Sequence, residues 1–72
     1  MEFDFSKLLG RIIEKFGTRG AFAAAMGMAE SALSNRLSNK THFDAEEIHL
    51  ACELLGIEPE DIHVYFFTLK VR

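Results

Sequence analysis

Cysteine, proline and tryptophan are scarce in this chain. Among 72 residues there are one cysteine, one proline and no tryptophan. A single cysteine excludes an internal disulfide, which fits a reducing compartment. No apolar run is long enough to cross a bilayer, and Met1 is followed by acidic residues rather than by the basic stretch of a signal peptide. These absences predict a cytoplasmic protein without a membrane partner, and residues 1–72 suffice for one domain at most.

Basic residues are also few, and they are unevenly placed. The net charge is -3, which argues against strong general affinity for phosphate backbones, because that affinity comes mainly from Lys and Arg. Residues 1–42 carry six basic and four acidic side chains, whereas residues 43–72 carry two basic and seven acidic ones. The first half of the chain is therefore slightly basic, and the second half is acidic.

The first half of the chain follows helical periodicity. Apolar residues recur at helical spacing in residues 8–16, and Gly17 ends that pattern. Thr18 is a suitable N-cap for a second helix, and a third is predicted over residues 29–38 with Gly27 in the turn between them. Three short helices in close succession are the expected structure.

The second half begins with a clear helix start. Asp44 and Glu47 are spaced as a capping box for a fourth helix, and Gly56 suits its end. Glu58 and Pro59 open a short fifth helix, because proline at the first helical position loses no hydrogen bond that the helix end would have used. The apolar alternation at both chain ends allows a short strand pair, within one molecule or across a homodimer.

The segment R-G-A-F-A-A-A-M-G-M-A-E-S-A-L-S-N-R-L, residues 19–37, carries the most specific pattern. Ala23 lets two helices approach closely, and Gly27 accepts a positive φ between them. The spacing resembles the helix-turn-helix of lambda-repressor-like and Cro-like regulators. Further segments resemble small regulators of temperate phages of Gram-positive bacteria: M-E-F-D-F-S-K-L-L-G-R-I-I-E-K-F-G-T, A-C-E-L-L-G-I and Y-F-F-T-L-K-V-R.

This resemblance implies an all-α, five-helix, lambda-repressor-like DNA-binding domain whose helix-turn-helix covers about residues 19–38. In such domains the third helix enters the major groove, while the start of the second helix and the following loop contact the backbone. The leading prediction is a Cro-like phage regulator that binds operator DNA. The residues expected at the DNA are Arg19, Glu30, Ser31, Ser34, Asn35, Arg36, Asn39, Lys40 and Thr41.

Departures from the family pattern predict that a monomer binds DNA only weakly. A carboxylate at Glu30 is repelled by nearby phosphates, and Ala29 and Ala32 remove two side chains from the face that reads DNA. The group also includes modulator-of-repression proteins, antirepressors that seize the phage repressor. The acidic residues suited to a basic repressor surface are Glu30, Asp44, Glu46, Glu47 and Glu53.

Catalysis and metal binding have little support in the sequence. There is no glycine-rich phosphate loop and no nucleophile with a spaced base, so the chain is not expected to be an enzyme or to need a cofactor. His49 and Cys52 stand on adjacent turns but do not fill a zinc shell. The expected partners are operator DNA, the cognate phage repressor, or a second copy of the chain.

Overall fold

A computed structural model describes residues 1–71 and contains five helices. They are α1 (Ser6–Phe16), α2 (Arg19–Met26), α3 (Glu30–Leu37), α4 (Ala45–Leu55) and α5 (Ile62–Phe66). A turn of 3₁₀ helix (Pro59–Asp61) leads into α5. The predicted all-α, five-helix fold class is confirmed, and the predicted third helix differs from α3 by one residue at each end.

One apolar cluster holds the helices together. Leu8 and Ile12 of α1 are fully buried, because they are four residues apart and share one face of the helix. Every helix contributes to this cluster, and so does the segment between α4 and the 3₁₀ turn. Its members are Leu8, Ile12, Phe22, Ala23, Met26, Leu33, Ala51, Cys52, Leu55, Ile57 and Phe66.

Local capping fixes where two of the helices begin. The Thr18 hydroxyl accepts a hydrogen bond from the Ala21 backbone N–H at 3.1 Å and starts α2. At α4 the predicted capping box is complete: Asp44 Oδ1 accepts from the Glu47 N–H at 2.7 Å, and Glu47 Oε1 accepts from the Asp44 N–H at 3.0 Å. Both helix starts are therefore set by the side chains that the sequence indicated.

The two chain ends pair with each other within one molecule. Phe3 and Leu69 form a single antiparallel bridge. The Asp4 backbone N–H donates to the Thr68 carbonyl at 2.7 Å, and the Lys70 N–H donates to the Glu2 carbonyl at 3.1 Å. The predicted strand pair is thus present within the monomer in a minimal form.

In the part of the chain that the structure describes, no helix has the length and apolar character needed to span a membrane.

The apolar side chains of the C-terminal segment lie partly in the core and partly on the surface. Phe66 is buried in the core, whereas Phe67 is 48% exposed and Leu69 52% exposed. Phe67 also packs edge-on against Phe3, with ring centroids 5.7 Å apart.

Candidate functional site

Helices α2 and α3 meet through a tight turn at Gly27. Ala23 is 1% exposed and Leu33 fully buried, which brings the two helices close together. Gly27 has a φ of 74°, a left-handed conformation that glycine adopts without steric cost. The Met28 backbone N–H donates to the Ala23 carbonyl at 3.0 Å and closes the turn. The predicted glycine-hinged pair of helices is therefore present.

The outer side of α3 and its flanks form one candidate surface, here called the α3 face. Ser31 and Asn35 are exposed on α3, and Ser34 is half-buried. Arg19 is exposed at the start of α2, and Lys40 and Thr41 are exposed in the loop that follows α3. These polar side chains are open to a partner, as the sequence predicts, although exposure alone does not identify that partner.

Arg36 is occupied within the fold. Its Nε and Nη2 donate to the two carboxylate oxygens of Glu47, both at 2.9 Å, and its Nη1 donates to the Ala32 carbonyl at 3.0 Å. Both side chains of the ion pair are only 20% exposed. The hydrogen bond from Arg36 holds the pKa of Glu47 below its ordinary value. The predicted contact of Arg36 with DNA would require these bonds to break, and that contact stays a prediction.

Asn39 is occupied in a similar way. Its side chain accepts from the Phe3 backbone N–H at 2.9 Å and donates to the Phe3 carbonyl at 3.0 Å. Its φ of 70° places it in the left-handed region, which asparagine tolerates better than most residues. The amide of Asn39 therefore secures the N-terminal segment, and the predicted contact with the DNA backbone, which stays a prediction, would compete with these internal hydrogen bonds.

Glu30 changes the electrostatics at the start of α2. A Cβ atom built on Gly20 would lie 3.0 Å from Oε1 of Glu30, so this carboxylate lies against the first turn of α2. Helix N-termini attract anions, and here the anion is a side chain of the same molecule. The position at which the resemblance implied a DNA phosphate thus already has a negative charge beside it.

A second candidate surface is acidic, in contrast to the α3 face with its exposed cations. Residues 41–69 contain no Lys or Arg, and the exposed acids there are named here the acidic face: Asp44, Glu46, Glu53, Glu58, Glu60 and Asp61. Glu53 contacts His49 at 3.2 Å. Glu47, which the sequence placed among the acids available to a partner, is instead engaged by Arg36.

An apolar groove of about 330 Å³ lies between α4 and α5, and Glu53 of the acidic face is one of its lining residues. The lining residues come from α4, from the segment after it and from the start of α5: Ala45, Ile48, His49, Cys52, Glu53, Ile57, Pro59 and Ile62. The sequence did not reveal this groove, because Ile48 and Cys52 have the same helical spacing as purely internal residues. The groove forms because the chain after Gly56 contributes Ile57, Pro59 and Ile62 to its wall and does not cover Ile48 and Cys52 completely.

Within residues 1–71, no three His, Cys, Asp or Glu side chains are placed to hold a metal ion together. Burial raises the pKa of the Cys52 thiol.

The fold and surfaces define a small helical protein with one polar face and one acidic, grooved face. The chain belongs to the family described as "Protein of unknown function (DUF739)", whose model matches residues 1–69. No curated protein sequence matches it. Among solved structures, it is similar to the modulator of repression (MOR) of the temperate bacteriophage TP901-1 from Lactococcus lactis. The two are 44% identical, the match covers 100% of this chain and 97% of the other, and the TM-score is 0.82.

Proposed function

We propose that this protein is a phage antirepressor, a modulator of repression that binds the DNA-binding domain of its cognate phage repressor and blocks operator binding. The observation that carries this proposal is the full-length similarity, at 44% identity, to the modulator of repression of phage TP901-1. It favours the alternative drawn from the sequence over the leading prediction of a Cro-like operator binder. In this proposal the protein acts by binding, in the bacterial cytoplasm, without a cofactor or catalysis.

The α3 face supports this choice because it offers few cations to DNA. Affinity for the duplex grows with the number of phosphates that Lys and Arg neutralise. Arg36 is paired with Glu47, and Glu30 adds a negative charge beside α2. Arg19 and Lys40 remain, which is too few for tight binding by one molecule.

The acidic second half supports the same choice. A repressor reads its operator through a basic surface, since that surface must neutralise phosphates. Complementary potentials steer such surfaces together and disfavour wrong partners. A protein whose residues 41–69 lack any Lys or Arg is matched in charge to that repressor surface and mismatched to DNA.

A gel-shift titration with operator DNA tests the proposal. The repressor of the phage that encodes this protein is first bound to its labelled operator, and this protein is then added. We expect free operator to reappear, with no slower band that contains this protein and DNA. A parallel titration without repressor should leave the operator unshifted.

The opposite result has a defined form. If the protein alone shifts the operator, and Lys40→Ala weakens binding to all sequences while Asn35→Ala changes sequence preference, the protein is a Cro-like regulator. The antirepressor proposal is then wrong. Failure to release the repressor at saturating protein would also overturn it.

A further inference from the structure

The groove between α4 and α5 has mostly apolar lining residues and lies beside a second apolar depression. Ile48 lines both. The second depression, of about 250 Å³, is walled by aromatic rings that include Phe43, Phe66 and Phe67. The two depressions, which meet at Ile48, are together called the trench, and each has room for an apolar side chain.

Lys and Arg are absent from the residues that line this trench and from their immediate neighbours in sequence. Glu53 lines the groove directly. Glu46, Glu58, Glu60 and Asp61 are exposed, and each is next in sequence to a lining residue. The histidines at the trench, His42 and His49, are the only side chains lining it that can become cationic.

We infer that this trench is the surface that receives the repressor, and that its occupant is an amphipathic helix of the repressor's DNA-binding domain with apolar anchors and basic flanks. The inference rests on the proposed function and specifies its interface. A helix laid in an apolar groove is held by side chains that recur every three or four residues. Basic flanks would meet the acidic rim, as charge complementarity requires.

The α3 face does not offer the same match. Its exposed cations, Arg19 and Lys40, would repel a basic partner, and its central residues Ser31 and Asn35 are neutral and small. No residue of α3 lines the groove or the second depression. Occupation of the trench would therefore leave the α3 face unused in the complex.

Two pairs of matched variants test the interface by measuring the affinity of the full chain for the purified, fluorescently labelled DNA-binding domain of the cognate repressor. Ala45→Gln places a longer neutral side chain into the groove, and Ala25→Gln makes the same change on the exposed side of α2. Glu53→Lys reverses a charge in the groove, and Glu30→Lys reverses one beside the α3 face. Thermal melts establish that all four variants are folded.

We expect Ala45→Gln and Glu53→Lys each to weaken binding by about tenfold or more, and the two controls to change it by less than about threefold. If wild type binds and the groove variants keep its affinity while Glu30→Lys loses it, the α3 face is the interface. The inference is then wrong, although the proposed function stands. If wild type does not bind the repressor domain, the proposed function and the inference both fail.

A second copy of this chain is the competing occupant of the trench. Sedimentation of the protein alone distinguishes it. We expect wild type and Ala45→Gln to sediment as the same species. A wild-type dimer that Ala45→Gln converts to monomer would assign the trench to self-association and overturn the inference.

Discussion

Arg36 and Glu47 form a forked ion pair that joins the end of α3 to the start of α4. Nε of Arg36 lies 2.9 Å from Oε1 of Glu47, and Nη2 lies 2.9 Å from Oε2. The same Oε1 also accepts the backbone N–H of Asp44 at 3.0 Å. One carboxylate therefore completes the capping box of α4 and holds the loop that connects the two helices. Paired hydrogen bonds of this geometry are among the stronger ones in proteins.

The first prediction follows from this fork. Arg36→Ala leaves a half-buried carboxylate without its partner and should destabilise the fold by about 2 kcal/mol. For a domain of this size that corresponds to a fall in melting temperature of roughly 8–16 °C. Arg19→Ala, an exposed arginine without an ion pair among the described residues, should change stability by less than about 0.5 kcal/mol. Equal melting curves for Arg36→Ala and wild type would show that the fork does not stabilise the protein in solution.

The second prediction is a pH dependence. The pKa of Glu47 is lowered from its ordinary 4.5, chiefly by the hydrogen bond from Arg36. The folded state therefore binds this proton less readily than the unfolded state, so the stabilisation is complete above the ordinary pKa and is lost as the pH falls through the lower, folded value. The gap in unfolding free energy between wild type and Glu47→Gln should be constant near neutral pH and narrow below about pH 4.5.

Urea unfolding of both proteins at several pH values measures this gap. Asp4 also has a lowered pKa, because Ser6 donates hydrogen bonds to it, but it is present in both proteins and cancels in the difference. A gap that stays constant down to pH 3 would contradict the assignment to Glu47.

The third prediction concerns Asn39, which combines a positive φ with two hydrogen bonds to Phe3. Asn39→Ala loses both bonds and keeps a Cβ in the left-handed region without the polar side chain that lets asparagine tolerate it, so we expect a loss of about 2–3 kcal/mol. Asn39→Gly loses the same bonds without the steric strain, and its loss should be smaller by about 1 kcal/mol. Chemical denaturation of both variants tests this order. If glycine destabilises as much as alanine, the strain at this position is negligible.

The helices were predictable because their signals are local. The capping box at Asp44 and the glycines that end α1 and α4 act on neighbouring residues, and the structure follows them within one residue or so. The candidate site was less predictable because it depends on distant contacts. Asn39 bonds to a residue 36 positions away and Arg36 to one 11 positions away. Nothing in the spacing of either residue distinguishes such an internal bond from a contact with DNA.

The last prediction compares two glycines that the structure uses differently. Gly10 lies inside α1, is exposed, and a Cβ added there would meet no atom within 4 Å. Gly10→Ala should therefore stabilise the protein by about 0.5–1 kcal/mol, because alanine loses less backbone entropy on folding. A Cβ at Gly27 would also meet nothing within 4 Å, but the φ there is 74°.

Gly27→Ala should consequently destabilise the protein by about 1–2 kcal/mol through backbone strain alone. Comparing Gly10→Ala with Gly27→Ala separates the effect of backbone conformation on stability from the effect of side-chain packing, since neither new methyl group contacts a neighbour. Thermal melts of both variants measure the difference. A loss of stability at both positions would mean that α1 is not helical around Gly10 in solution, whereas a gain at both would mean that the turn between α2 and α3 does not require a left-handed residue.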